Sequence, residues 1–144
     1  MNIFFLDHDP VLAARMHCDK HVGKMLVEAV QMMSTGLALA GHPAGYKPAY
    51  RNHPMTIWVR SSARNFAWTW CLARGLGREY RFRFARGHKS ADVLPALLTA
   101  VDWHLAFGGH GLTPIPLCMP GDYADPSDPV ASYRRFYRGA KAHF

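Results

Sequence analysis

Six polar residues, His17, His21, Lys24, Glu28, Gln31 and Thr35, follow one another by steps of four and three. On an α-helix that rhythm gathers them into one stripe. Adjacent turns lie ~5.4 Å apart, so Lys24 reaches both His21 and Glu28, whereas those two are ~10 Å apart along the axis and leave room between them for a ligand or a water. A carboxylate, an amine and imidazoles placed in this way can hold and move protons on a bound molecule. A solvated helix face with an ordinary Lys24–Glu28 ion pair fits the same spacing. His17 and His21 also have the spacing of a shared metal-ligand pair. No second ligand pair accompanies them and Lys20 would repel a cation, so neither a metal nor another cofactor is expected. Cys18 faces the more apolar side, where a thiol is commonly inert.

Two further segments carry chemistry suited to anions. Tyr46-Lys47, Arg51-Asn52-His53-Pro54 and Trp58 bring cationic, amide and aromatic groups to the start of a helix, able to grip phosphate and stack a base. Arg86-Gly87-His88-Lys89-Ser90 repeats that chemistry at the start of the next helix. Alone, each is equally a shaped loop. Between them, Arg60, Arg64, Arg74, Arg78 and Arg81 form a basic ridge. From Arg60 to Lys89 there are eight basic residues against Glu79, an excess equal to the net charge of the whole chain, +7.

Four helical blocks position these groups. The first runs from about Asp9 or Pro10 to Ala40, with Val22, Leu26, Ala29, Met33 and Leu37 as its apolar stripe, and Gly41-His42-Pro43 stops it. A Gly/Pro/Tyr/Asn-rich loop spans 41–54. The second block, about Met55 to Phe84, carries Val59, Ala63, Phe66, Trp70, Ala73, Gly77, Tyr80 and Phe84 as core, and Gly75 with Gly77 suggests a kink. A third starts near Ser90 or Asp92 and ends at Gly108-Gly109. The stretch from there to Ser127, with Pro114, Pro116 and Pro120, reads as a long functional loop. Asp128-Pro129 pairs an N-cap with proline at the first helical position, so a fourth helix runs towards Lys141 and presents Tyr133, Arg134, Tyr137 and Lys141 on one face.

These blocks describe a mainly α, single compact domain of about four helices with long Gly/Pro-rich loops, spanning 1–144. Its 144 residues suit one domain, and 49% hydrophobic, 12% aromatic and 19% charged residues exclude a disordered or low-complexity chain. No apolar run approaches the ~20 residues of a membrane helix, and Met1–Leu6 lacks the basic start of a signal peptide. Three cysteines without C-x-x-C spacing offer no disulfide framework. A cytoplasmic protein with an anionic partner, DNA or a phosphate-bearing nucleotide, and no membrane partner is expected. The oligomeric state stays open.

The run Asp19-x-His21-Val22 followed by Glu28, and the aromatic, basic segment Tyr133-Arg134-Arg135-Phe136-Tyr137-Arg138-Gly139-Ala140-Lys141, resemble the phage-type pyrimidine-dimer DNA glycosylases (endonuclease V type). The resemblance covers the first and last helices in order. The string Cys18-Asp19-Lys20-His21-Val22, with Asn52-His53-Pro54, Trp58, His88-Lys89-Ser90 and Met119-Pro120, also resembles a group of small phage proteins without an assigned activity. The glycosylase resemblance implies that Glu28 stabilises the developing sugar cation and moves protons, and that His21 contacts DNA. It further implies an amine nucleophile, normally the chain terminus exposed by methionine removal. Asn2 is too large for usual methionine removal, so the amine is that of Met1 or of Lys24, where the like charge of Lys20 one turn earlier favours an uncharged amine.

Three functions follow from these residues. In the first, a damaged base lies over the first helix against Glu28, Lys24 and His21, the ridge tracks phosphates, and Trp58 or Tyr137 stacks on bases. In the second, a basic pocket binds or hydrolyses a soluble nucleotide, such as a cyclic dinucleotide signal, with His21, His53 and His88 as acid–base candidates. In the third, the chain binds nucleic acid without catalysis. The stripe of the first helix is expected to line a cleft shared with Asn52-His53 and His88-Lys89. Lys20, Arg51 and Tyr133 complete the expected ligand contacts.

Overall fold

A computed structural model describes residues 1–109 and 111–141, and among them every regular element is helical. Seven α-helices replace the four expected blocks, because each of the first three blocks breaks in two where a backbone cap interrupts an otherwise continuous apolar rhythm. The helices are α1 (Pro10–Arg15), α2 (Asp19–Leu39), α3 (Pro54–Arg60), α4 (Ala63–Phe84), α5 (Leu94–Thr99), α6 (Trp103–Phe107) and α7 (Pro129–Phe136). A 3₁₀ turn at Ala91–Val93 leads into α5, and a π turn at Tyr137–Lys141 prolongs α7.

The breaks have identifiable causes. Arg83 takes the carbonyls of Arg15 and His17 at 3.1 and 2.6 Å, satisfying acceptors at the end of α1, and reaches Asp19 at the start of α2. At the second break Ser62 turns extended and its Oγ accepts from the Asn65 amide at 3.1 Å, while Asn65 donates to the Trp58 carbonyl at 2.8 Å. A serine N-cap thus splits α3 from α4 without disturbing the spacing of Val59, Ala63 and Phe66. Asp102 caps α6 through the His104 amide, and Asp128 caps α7 through that of Ala131.

Helices α2 and α4 form the central pair, and α1 lies across α4. Threaded into the core beside them is an extended N-terminal segment, whose Ile3, Phe4, Phe5 and Leu6 are all buried. Phe5 stacks on Trp68 and meets Trp58 edge-on, and Phe4 packs against His21 and Tyr137. In the expected stripe of the second block Val59, Ala63, Phe66 and Ala73 are buried, Trp70, Gly77 and Tyr80 are half-buried, and Phe84 is exposed. No helix among the described residues is long and apolar enough to cross a membrane.

Helix α4 runs unbroken through Gly75 and Gly77. Both glycines permit close approach. A Cβ on Gly75 would lie 2.8 Å from Cβ of Ala14, and one on Gly77 would lie 3.1 Å from that of Ala91. Gly75→Ala should therefore lower stability by about 1–3 kcal/mol through overpacking, although alanine is the better helix former. Gly111→Ala, where a Cβ meets nothing within 4 Å, should be near neutral. Urea unfolding of the two variants compares them, and an unaffected Gly75→Ala protein would contradict the packing described.

Candidate functional site

The polar stripe of α2 divides into two parts with different work. Its C-terminal half anchors the loop that follows the helix. Gln31 donates to the Lys47 carbonyl at 2.6 Å, Ser34 Oγ accepts from the Tyr46 amide, and Thr35 Oγ1 both donates to the Ala49 carbonyl and accepts from the Ala49 amide at 3.1 Å. The other half, His21, Lys24 and Glu28, lines a pocket of about 200 Å³. Met1, Asn2 and Phe4 of the N-terminal segment, together with Phe136 and Lys141, complete its walls.

Glu28 is the centre of this pocket, with 16% of its side chain exposed. Its Oε2 accepts from the Asn2 amide at 2.8 Å and lies 3.7 Å from the Met1 amino group. Asn2 makes that geometry rigid. Its Oδ1 accepts from the Ile3 amide at 2.8 Å and its Nδ2 donates to the Cys118 carbonyl at 3.0 Å, tying the segment to the proline-rich loop. The ordinary Lys24–Glu28 ion pair is not formed: Lys24 is exposed at the rim, and the cation on Glu28 is the terminal amine.

His21 is oriented from behind. Its Nδ1 lies 3.0 Å from the Tyr137 hydroxyl, which accepts from the Cys18 amide at 2.7 Å. One hydroxyl thus ties the backbone at the start of α2 to the His21 ring. Burial, then the charges of Lys24 and Lys141, hold its pKa below the ordinary histidine value. The Tyr137 phenol is itself pushed well above its ordinary range, chiefly by burial. The π turn that follows Tyr137 brings Lys141 to the pocket, and such turns are frequent at functional sites.

The remaining expected residues separate into groups. His53 caps α3 and does not line the pocket; burial lowers its pKa, the Met1 amine lowers it further and Glu28 opposes the shift. Arg51 and Asn52 are exposed beside it, and the Arg51 carbonyl accepts from Arg60 at 2.8 Å. His88 does not share the pocket. It packs on the other side of α2, where a Cβ on Gly23 would lie 3.5 Å from its Nε2, and its Nδ1 accepts from the Ser90 amide. Lys89 is exposed on the same turn, and Lys20 is exposed on α2. The pocket therefore joins Glu28, Lys24 and His21 to the N-terminal segment, and its lining does not include Asn52, His53, His88 or Lys89.

The aromatic candidates are corrected. Trp58 is 3% exposed and donates to the Thr113 carbonyl, Tyr133 is 0% exposed and donates to the Pro116 carbonyl, and Tyr137 is 5% exposed and holds His21. All three are core residues whose polar atoms are satisfied inside the protein, and none is free to stack on a base. The arginine ridge is also divided. Arg60 is lost to α3 by the Ser62 cap, and Arg64 lies beside Pro10, Trp68 and Cys71. Arg74, Arg78 and Arg81 remain together and line a cleft of about 290 Å³ floored by Trp70, Ala91, Leu94 and Pro95. Asn2, Phe4, Phe136 and Lys141 were not expected at the pocket. Only Lys141, placed on the face of Tyr137 by helical spacing, had a signal in the sequence.

No group of three or more histidine, cysteine or acidic residues among the described residues could hold a metal ion. No protein-family model matches the chain, and neither a curated protein nor a solved structure matches it.

His17, beside this site, is buried and donates from Nδ1 to the Ala13 carbonyl at 2.7 Å, while its Nε2 has no partner. Burial lowers its pKa to about 4. The unfolded chain takes up this proton near the ordinary value of 6.5, so stability is full above that pH and is lost as pH falls towards 4. The loss between pH 7.5 and pH 5 should be about 2 kcal/mol from this residue, with the lowered values of His21, His53 and His88 acting in the same direction. Denaturant titrations at the two pH values measure it, and His17→Phe should remove the largest part. Equal stability at both would refute the assignment.

Proposed function

We propose that this protein is a DNA-directed enzyme of the pyrimidine-dimer glycosylase type, which releases a damaged base by amine and carboxylate chemistry. The observation that carries the reading is the Met1 amino group 3.7 Å from Glu28 Oε2 in a pocket shared with His21 and Lys24. Met1 supplies the amine that contacts Glu28, whereas Lys24 forms no ion pair with it, so Met1 is the preferred nucleophile and Lys24 the cation at the rim.

In this mechanism the neutral amine attacks C1′ of the damaged nucleotide. The N–C1′ bond forms as the glycosidic bond breaks, and its electron pair leaves with the base. Glu28 stabilises the positive charge that develops on the sugar. The two amine protons then depart, one to the base and one through Glu28 to O4′, as the sugar ring opens and the nitrogen becomes an imine. His21, held by Tyr137, lines the pocket beside Lys24 and Glu28 and faces the bound nucleotide.

Sodium borohydride should reduce that imine and trap a protein–DNA adduct with abasic or damaged duplex. Glu28→Gln should abolish base release while sparing binding, and Lys24→Ala should keep the adduct. Extending the chain by residues before Met1 should eliminate it. An adduct that survives the extension and disappears in Lys24→Ala would transfer the nucleophile to Lys24, and no adduct with any DNA would end this reading.

The cleft of Arg74, Arg78 and Arg81 supports a second reading, in which its charge and apolar floor take a soluble nucleotide. The same arginines serve the first reading as phosphate contacts outside the pocket. In the DNA reading, Arg74→Gln with Arg78→Gln should lower the slope of log K against log salt for duplex DNA by about 2 and leave folding intact. Unchanged duplex binding, with loss of affinity for a cyclic dinucleotide, would favour the second.

A further inference from the structure

Tyr50 stands out in the loop between α2 and α3. It is 68% exposed, its side chain makes no hydrogen bond with any described residue, and its backbone is left-handed at φ 51°. A bulky residue there is strained, and the position ordinarily falls to glycine or asparagine. Ala85, the other non-glycine residue with positive φ among those described, closes the C-terminus of α4, where that conformation is usual. Tyr50 closes no helix. Phe82 is exposed too, but within the regular α4.

The neighbours of Tyr50 hold the strain in place. Ala49 is bound in both directions by Thr35, the Arg51 carbonyl by Arg60, and the Tyr50 carbonyl by the His53 amide at 3.0 Å. The backbone on both sides is thus fixed to α2 and α3 while the ring is left in solvent. Gln31 and Thr35, the residues that follow Glu28 along the same stripe of α2, hold the Lys47 carbonyl and Ala49, so the loop that carries the ring lies along the face of α2 that lines the pocket. Exposed Lys47 and Arg51 flank it with positive charge suited to a phosphate backbone. Strain that the surroundings over-determine is a feature of functional loops.

We infer that Tyr50 enters a DNA duplex at the damaged position and stacks in the space left by the unstacked nucleotide, making a helical gap the feature recognised. The inference rests on the DNA reading above and supplies the stacking residue that Trp58 and Tyr137, both buried, do not. Nucleotides with damaged bases unstack at least cost, so a ring that fills the gap rewards binding at lesions over intact duplex. A stacked ring is worth on the order of tenfold or more in affinity.

The test uses a duplex with a tetrahydrofuran site, which cannot form an imine, against the same duplex intact. The unaltered protein should bind the tetrahydrofuran duplex at least tenfold more tightly, and a 2-aminopurine beside the site should report altered stacking. Tyr50→Phe should keep the preference. Tyr50→Gly suits the positive φ, so the loop retains its path without the ring, and should lose the preference to within twofold. A Tyr50→Gly protein that keeps it, or an unaltered protein that has none, overturns the inference. Borohydride trapping on a true abasic duplex is scored separately: no adduct, with the preference and its loss in Tyr50→Gly intact, removes the amine chemistry and leaves Tyr50 as the stacking residue.

Discussion

The amide of Asn2 donates to Oε2 of Glu28, and this one bond decides where the amino group of Met1 lies. It can form because the next four residues, Ile3 to Leu6, are buried as core and cannot drift. A terminus attached to an exposed segment would sample many positions, and the entropy of fixing it would fall on the bond alone. Here the apolar residues bear that cost, and the side chain of Asn2 completes the anchoring through the Cys118 carbonyl.

Placing an ammonium and a carboxylate together in a half-buried pocket also settles their electrostatics. Each offsets the desolvation of the other, and removal of one partner leaves the second costly to keep charged. Among the described residues Glu28 is the pocket's carboxylate, and Lys24 and Lys141 line it beside the Met1 amine. Those positive charges suit an anionic ligand, and after burial the charges of Lys24 and Lys141 lower the pKa of His21, whose Nδ1 is held by Tyr137.

Much of this was legible in the sequence in kind, though not in detail. Helical periodicity identified the faces of α2 and α4 because burial imposes the same spacing on any buried helix. It missed the breaks at 16–18 and 61–62, since Arg83 and Ser62 end helices by binding backbone groups and leave the apolar rhythm intact. The spacing of His21, Lys24 and Glu28 located one wall of the pocket. The opposite wall, residues 1–4 and 136–141, comes from distant chain, and no local pattern reports such a meeting. Trp58, Tyr133 and Tyr137 were misread for a related reason: an aromatic residue with a polar handle has the same composition whether it stacks on a ligand or bonds to a buried carbonyl. Tyr50 carried no signal, because its significance lies in a backbone angle.

The pocket is closed by contacts between the two extremes of the described chain. Tyr137 bonds to Cys18 and His21, and Arg134 bonds to the Leu6 carbonyl at 2.6 Å and pairs with Asp7 at 3.0 Å. Such long-range closure is slow relative to helix formation. A nascent chain emerging from the ribosome has residues 1–28 early but lacks α7 and the π turn until synthesis has passed Lys141. The pocket is consequently completed late, and translation that stops short of Lys141 yields helices without one of its walls.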